Sequence, residues 1–209
     1  MFNIVSFNGA VVESIKSQDN KHKLVCNAFG AGSGSILVRY YAKDFDVMEG
    51  DTLQICGKSQ MINGSLLIEA ESITKLPEGF PQSNFIAVGG RINVRPRNNP
   101  KAPIKVGIAN NNYDYQKREN VVSWFNANIW GVKDGSKQEQ LLSKGNTIGI
   151  TGSIERSVYN EKEQYNINAR RFDLLAKKKA EPSYEYDAAN DGATPPESNA
   201  SDNWDSVPF

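Results

Sequence analysis

The sequence predicts an all-β chain: two tandem five-stranded barrel domains followed by a disordered acidic tail. Three observations support this prediction: an internal repeat, alternating apolar residues, and a sharp change in composition near the end. The first domain is predicted at residues 1–76, a linker at 77–83, the second domain at 84–176 and the tail at 177–209. A chain of 209 residues is long enough for two small domains.

The internal repeat consists of three pairs of similar stretches that occur in the same order. The pairs are 3–12 with 84–93, 48–58 with 142–153, and 66–76 with 165–175. Three matches in one order indicate two copies of a single domain, of which the first is shorter. Pro77, Gly79 and Pro81 interrupt the segment between the copies, as is typical of a linker.

Alternating apolar residues predict strands throughout the second copy. These residues are Ile86, Val88, Ile92 and Val94, then Ile104, Val106 and Ile108, then Ile148, Ile150 and Ile154, and finally Tyr165, Ile167 and Ala169. A polar stretch from Ser136 to Leu142 fits one helix between the third and fourth strands. Five short strands with a helix after the third are the plan of the OB fold, a Greek-key barrel.

The formal net charge of zero conceals three blocks of different charge. Residues 1–82 carry a net charge of −2, residues 83–179 carry +9 and residues 180–209 carry −7. This asymmetry favours a polyanionic partner for the middle block and an interaction role for the tail. The tail is rich in Asp, Asn, Ser and Pro and has too few apolar residues to form a core.

Features that the sequence lacks disfavour several functional classes. Without an apolar run of about eighteen residues or a basic-then-apolar start, we expect a cytoplasmic protein with no membrane span. Cys26 and Cys56 lie singly in apolar stretches, so we expect buried, reduced thiols and no metal site. His22, flanked by lysines in a predicted turn, is expected at the surface. We therefore expect no cofactor and no catalytic residue.

The third strand of the second copy, SWFNANIW, indicates the binding chemistry. Side chains alternate along a strand, so Phe125, Ala127 and Ile129 share one face, which must be the core side. Trp124 and Trp130 then lie on the polar face, beside two asparagines. Bases of single-stranded nucleic acid stack on such rings, and each stacked base contributes roughly 1–3 kcal/mol to the binding free energy. Alternatively, both tryptophans pack under neighbouring hairpins or in a subunit interface.

Further aromatic and basic residues surround this strand. They are Arg91, Arg95, Arg97 and Lys105 on the first two strands and their connection, Tyr113, Tyr115, Lys117 and Arg118 in a polar loop at 110–118, and Arg156 and Tyr159 in the last hairpin. Interleaved aromatic rings and positive charges suit a nucleic acid strand whose phosphates are neutralised while its bases stack.

The second copy resembles the DNA-binding domain of bacterial single-stranded DNA-binding proteins over nearly all of residues 84–175. The matching stretches are SNFIAVGGRI, VSWFNANIWG, LLSKGNTIGITGSI and the late QYNINA strand. The residues implied to stack on bases are Trp124, Trp130, Tyr159 and one of Tyr113 and Tyr115. The resemblance also implies that Lys144 belongs to the basic surface and that a chain with two such domains forms a homodimer.

The first copy departs further from this family pattern. Aligned through its two adjacent tyrosines, it has Ser35, Leu37, Arg39 and Tyr41 at the positions of Trp124, Asn126, Asn128 and Trp130. Arg39 and Tyr41 remain as its candidate DNA contacts. We expect this domain to bind DNA weakly or to act as a scaffold.

The end of the chain, WDSVPF, also resembles that family, whose members end in acidic residues, an aliphatic residue, Pro and a terminal Phe. The candidate partner-binding residues are Trp204, Asp205, Val207, Pro208 and Phe209. A disordered tail of this kind docks its ring in a pocket while its carboxylates meet a basic rim. The resemblance implies that replication, recombination and repair proteins bind there. Alternatively, the end is a terminus without function.

The predicted function is sequence-independent binding and protection of single-stranded DNA during replication, recombination and repair, by a nucleoid-associated protein that is not an enzyme. An alternative with the same fold is a primosome or RNA-binding accessory protein, and another is a pure interaction scaffold. A nuclease would have to use Asp114, Glu119 and Asp134, which lie in predicted loops without a metal-ligand pattern.

Overall fold

The structure is a computed structural model of the 209-residue chain. It describes residues 2–15, 20–27, 35–43, 46–62, 64–77, 79–80, 83–97, 99–114, 118–159 and 162–179. Side chains are described for these residues except at positions 114, 159 and 162.

The described residues form ten strands and one short helix. In chain order these are β1 (Asn3–Ile15), β2 (Lys21–Asn27), β3 (Ser35–Tyr41), β4 (Thr52–Ile62), β5 (Ser65–Leu76), β6 (Asn84–Val94), β7 (Ile104–Asp114), β8 (Glu119–Ile129), α1 (Lys137–Leu141), β9 (Thr147–Tyr159) and β10 (Lys162–Ala176). The predicted linker falls between β5 and β6.

Each half of the strands closes into a barrel of its own. In the first half the order is β2–β3–β5–β4–β1, and β1 pairs again with β2. The second half repeats this plan as β6–β7–β8–β10–β9, closed by pairing of β6 with β9. Helix α1 follows the third strand of the second barrel, and the Ser136 side chain caps it by accepting from the backbone N–H of Glu139. The predicted all-β fold of two tandem OB barrels is confirmed, and so is the helix.

The repeat seen in the sequence recurs in the details of the two barrels. Asn3 Nδ2 donates to the Ser59 carbonyl at 2.6 Å, and its Oδ1 accepts from the Ser59 N–H at 3.0 Å. Asn84 makes the same two bonds with Ile154, at 2.6 and 2.9 Å. Asn3 and Asn84 are equivalent in the repeat, so the two copies share hydrogen bonds as well as apolar pattern.

A matched pair of glycines allows two strands of each barrel to approach closely. A Cβ atom on Gly57 would lie 2.1 Å from the carbonyl oxygen of Glu69. One on Gly152 would lie 2.1 Å from the carbonyl oxygen of Asn168. Only glycine fits at such a contact, which explains why this residue recurs at the same place in both copies.

The two barrels are joined by antiparallel pairing of their first strands, β1 and β6. Val5 lies opposite Ile86, Asn3 opposite Val88 and Phe7 opposite Asn84. In the repeat, Val5 is equivalent to Ile86 and Asn3 to Asn84, so the pairing has a local two-fold relation. The result is one continuous ten-stranded sheet.

The cores follow the predicted alternation, with one correction on β2. Residues such as Ile86, Ile108 and Ile150 are fully buried. His22, expected at the surface, is only 5% exposed, and its Nε2 lies 2.9 Å from the carbonyl oxygen of Ala42. The flanking lysines point outward while His22 alternates inward with Leu24 and Cys26, so the lysines gave a wrong indication of its position.

The two thiols differ in burial. Cys26 is fully buried, as expected, and burial raises its pKa to about 12. Cys56 is half-buried, and its thiol donates to Ser6 Oγ at 3.3 Å.

No helix among the described residues is long and apolar enough to cross a membrane.

Candidate nucleic-acid interface

Strand β8 separates its core residues from its polar residues as the sequence predicts. Phe125, Ala127 and Ile129 are at most 3% exposed. On the opposite face Trp124 is half-buried, whereas Trp130, directly after the strand, is 59% exposed. The predicted face assignment is confirmed, and none of the hairpins that the structure describes buries Trp130.

Cross-strand register extends this polar face over the neighbouring strands, because directly opposite residues share a side of the sheet. Trp124 lies opposite Ala109, which lies opposite Arg91. We call the resulting surface the outer face. Its members are Arg91 and Asn93 on β6, Lys105, Gly107, Ala109, Asn111 and Tyr113 on β7, Asn120, Val122, Trp124, Asn126 and Asn128 on β8, Trp130 after it, and Asn166 and Asn168 on β10.

Three aromatic residues form a line along the outer face. Tyr113 lies four residues beyond Ala109 on β7, which places it about 14 Å from the Trp124 position. Trp130 lies six residues from Trp124 in the other direction, about 20 Å away. The three rings are therefore spaced along one face of the second barrel rather than clustered.

Several predicted basic residues surround this line. Arg91 and Lys105 are exposed on the outer face itself. Arg95 is exposed just beyond β6, and Arg118 is exposed in the turn between β7 and β8. Lys144 is exposed in the turn before β9, where Gly145 donates its N–H to the Ile92 carbonyl of β6 at 2.8 Å. Positive charge thus lies along the β6 and β7 side of the aromatic line and at the turn between β7 and β8.

Arg97, predicted as part of the same basic surface, is occupied elsewhere. Its side chain is 11% exposed and pairs with Asp134 and, at 3.4 Å, with Glu139. It also donates to the Val132 carbonyl at 3.0 Å. These contacts connect the segment between β6 and β7 with the segment that carries α1. The geometry therefore gives Arg97 a structural role.

Arg156 also lies apart from the outer face. It is opposite Tyr165, on the core side of the β9–β10 hairpin, and its side chain is 20% exposed. Its guanidinium pairs with Glu163, and this bond raises the pKa of Arg156 and lowers that of Glu163. Burial raises the pKa of the Tyr165 phenol to about 12. We therefore assign Arg156 to the support of this hairpin.

The segment predicted as a polar loop at 110–118 is mostly strand. β7 continues to Asp114 and pairs with β8 from Glu119 onward, so residues 110–114 belong to a strand. Tyr113 is exposed on its outer side. Tyr115 and Lys117 lie outside the described residues, as do Trp204, Asp205, Val207, Pro208 and Phe209, and only the backbone of Tyr159 is described.

The equivalent face of the first barrel has a different character. β3 pairs in parallel with β5, with Leu37 opposite Leu67 and Arg39 opposite Glu69. In the second barrel the same register places Asn126 opposite Asn166 and Asn128 opposite Asn168. The predicted alignment of the two third strands is therefore confirmed. Tyr41 is exposed, but Arg39 forms an ion pair with Glu69 at 3.2 Å.

The three acidic residues of the nuclease alternative do not all lie in one place. Asp114 lies opposite Glu119 at one end of β8, and Asp134 follows the other end and pairs with Arg97. Within the described ranges no three His, Cys, Asp or Glu side chains form a group that could hold a metal ion.

Sequence reasoning missed four asparagines of the outer face: Asn93, Asn120, Asn166 and Asn168. The alternation NIN in the last strand was a signal for the latter two. Their proximity to Asn126 and Asn128 depends on the parallel pairing of β8 with β10, which no local pattern reveals.

Comparison with known proteins identifies the fold. No protein-family model matches the chain, and no curated protein does either. The wild-type single-stranded DNA binding protein from Thermus aquaticus matches in structure with a TM-score of 0.57 and 16% identity, covering 86% of this chain and 96% of that chain. A deletion mutant of the same protein matches with a TM-score of 0.59 and 16% identity, covering 87% and 98%. At this identity the likeness establishes a shared fold.

Proposed function

We propose that the chain binds single-stranded DNA, without sequence preference, on the outer face of its second barrel. The observation that carries the proposal is the pair of tryptophans on the polar side of β8, one of them 59% exposed. Large exposed aromatic residues mark interaction sites, and a base can stack on each ring. The structural relatives, which are single-stranded DNA binding proteins, support the same conclusion.

The charge distribution supports a strand that runs along the aromatic line. Arg91 lies across Ala109 from Trp124, and Lys105 lies opposite Asn128. Each cation that neutralises a phosphate releases counterions, which drives association at low salt. Stacking and neutralisation therefore act on the same strand from adjacent positions.

The wider role that we propose is protection of single-stranded DNA in replication, recombination and repair, by a cytoplasmic, nucleoid-associated protein that has no enzymatic activity. The tail at 180–209 has a net charge of −7 and ends in Phe209. An acidic segment with a terminal aromatic ring suits docking into a pocket with a basic rim. Partner proteins are proposed to bind there.

We also propose that the chain forms a homodimer through the sheet face around the β1–β6 junction. Phe2, Ile4, Phe85 and Leu175 are exposed apolar residues there. The Phe2 ring lies over Gly89 and the adjacent strand, where a Cβ on Gly89 would come within 2.9 Å of it. A second copy would remove this apolar surface from water.

The test is binding of a fluorescently labelled oligo-dT, followed by anisotropy at two salt concentrations. We expect tight binding that weakens as salt rises, and displacement by unlabelled single-stranded DNA of any sequence. Displacement by single-stranded RNA at equal concentration would favour the RNA-binding accessory protein instead. If the chain does not bind oligo-dT at low salt, the result would favour the alternative function of a pure interaction scaffold.

A further inference from the structure

Four asparagines occupy adjacent positions at the centre of the outer face. Asn126 on β8 lies opposite Asn166 on β10, and Asn128 lies opposite Asn168. Neighbouring strands are about 4.8 Å apart, and successive residues on one face are about 7 Å apart. The four side-chain amides therefore stand at the corners of a rectangle of about 5 by 7 Å, which we call the amide rectangle.

The amide rectangle lies between the two tryptophans. Trp124 precedes Asn126 by one same-face position, and Trp130 follows Asn128 by one. A strand that stacks on both indoles therefore runs along the Asn126–Asn128 edge of the rectangle, with Asn166 and Asn168 one strand away. When it does, the strand displaces the water that these amides bind in the free protein.

Most of these amides have no hydrogen-bond partner among the residues that the structure describes. None of the hydrogen bonds among the described residues engages the side chains of Asn126, Asn128 or Asn166. Asn168 donates from Nδ2 to Glu155 Oε2 at 2.6 Å, which leaves its own carbonyl oxygen as an acceptor. A polar group that loses water and gains no partner is costly, so a ligand that covers the rectangle must supply hydrogen bonds.

Base edges supply what these amides need, and phosphates do not. An asparagine amide has a donor and an acceptor side by side, and each base carries both donors and acceptors on its edges. A phosphate offers acceptors only and would leave the amide carbonyls unpaired. The carboxylate of Glu155, bonded to Asn168, also repels phosphate but accepts from exocyclic amino groups.

We infer that the amide rectangle is a base-edge subsite, in which Asn126, Asn128, Asn166 and Asn168 hydrogen-bond bases that lie between Trp124 and Trp130. This inference rests on the proposed function. An amide can turn to suit any base, so the subsite adds affinity without selecting a sequence.

The first barrel lacks this subsite. Its equivalent positions hold Leu37, Arg39, Leu67 and Glu69, with the two charged side chains ion-paired. The two leucine side chains form no hydrogen bonds, and the charged groups of Arg39 and Glu69 are already paired with each other. The same comparison supplies a substitution that this fold accommodates: leucine in place of Asn126 and Asn166.

The test compares the double variant Asn126→Leu, Asn166→Leu with the native chain on two oligomers of equal length. One is oligo-dT, and in the other every thymine is replaced by difluorotoluene, a nonpolar ring of the same shape that stacks but lacks ordinary hydrogen-bonding groups. We expect the ratio of the two affinities, oligo-dT over isostere, to fall about tenfold in the variant, because hydrogen bonds to the bases are lost. Gln138→Leu, on exposed α1, removes a surface amide elsewhere and should leave the ratio unchanged.

The outcomes separate this inference from the proposed function. An unchanged ratio in the double variant would overturn the subsite and leave single-stranded DNA binding intact. Failure of the native chain to bind oligo-dT would overturn both. Trp124→Ala should weaken binding of the two oligomers alike, because thymine and difluorotoluene both stack on this ring. If the double variant unfolds, Asn126→Leu alone gives the same ratio test, because Asn126 is exposed and outside the core.

Discussion

The two barrels share one fold and differ on one face. On the core side, Ile36 and Val38 of β3 are buried like Phe125 and Ala127 of β8. On the other side, the first barrel has Leu37 where the second has Asn126. Alternate residues of the same strand thus carry different information: one set specifies the barrel, and the other specifies what the barrel contacts.

The charges of the two barrels differ in the same way. Residues 1–82 carry a net charge of −2 and residues 83–179 carry +9. On the first barrel, Arg39 pairs with Glu69, and Lys58 pairs with Glu71 at 3.2 Å. These positive charges already have partners, so they contribute less to a phosphate site. The two barrels thus share their core pattern, while the net charge favours a polyanionic partner only for the second.

The largest effect should come from breaking the core side of β8. Phe125→Ala should lower the free energy of unfolding by about 3–5 kcal/mol, because a buried ring is removed. Chemical denaturation followed by circular dichroism measures it, with Trp130→Ala as the control on the opposite face. Equal destabilisation by both substitutions would contradict the division between the two faces.

Removing a stacking ring should have the next largest effect. Trp124→Ala and Trp130→Ala should each weaken binding of oligo-dT by about 1–3 kcal/mol while the fold is retained. Tyr41→Ala, at the position of Trp130 in the first barrel, should have a smaller effect. Anisotropy titrations of the three variants measure this, and equal losses in both barrels would remove the proposed difference between them.

A smaller effect is expected from single charges on the outer face. Lys105→Ala should reduce the slope of log affinity against log salt by about 0.7, if this lysine neutralises one phosphate of a single strand. Arg39→Ala should leave the slope nearly unchanged, because its guanidinium is already paired with Glu69. The comparison needs titrations at four or more salt concentrations. If the slope changes only in Arg39→Ala, the phosphate contact would belong to the first barrel and not to the second.

The smallest effect on DNA affinity should come from the end of the chain. Deleting Val207, Pro208 and Phe209 removes no charged side chain, so binding of oligo-dT should hardly change. Binding of partner proteins should be lost, because a segment with few apolar residues needs a concentrated anchor to offset the loss of entropy on docking. Phe209→Ala should act almost like the deletion, and Trp204→Ala should have a smaller effect. A pull-down from cell lysate that recovers the same proteins with every variant would contradict this.

Features set by local pattern could be predicted from the sequence. Alternation gave the strands and both faces of β8, and the repeat gave two barrels with the correct alignment of Leu37 with Asn126. Features set by contacts between distant segments could not. Arg97 was predicted to face DNA, and this was wrong. Its partners Asp134 and Glu139 follow β8 in the sequence, so no local pattern reveals the ion pairs. The grouping of Asn166 with Asn126 likewise exists only once β8 and β10 are paired.

The most direct test of the central claim uses the intrinsic fluorescence of the outer face. The chain has three tryptophans, so Trp204→Phe leaves only Trp124 and Trp130 as reporters. Titration of this variant with oligo-dT should quench the fluorescence to saturation, with the same midpoint as the anisotropy of the labelled oligomer. Binding detected by anisotropy without any change in tryptophan fluorescence would place the DNA elsewhere and contradict the account.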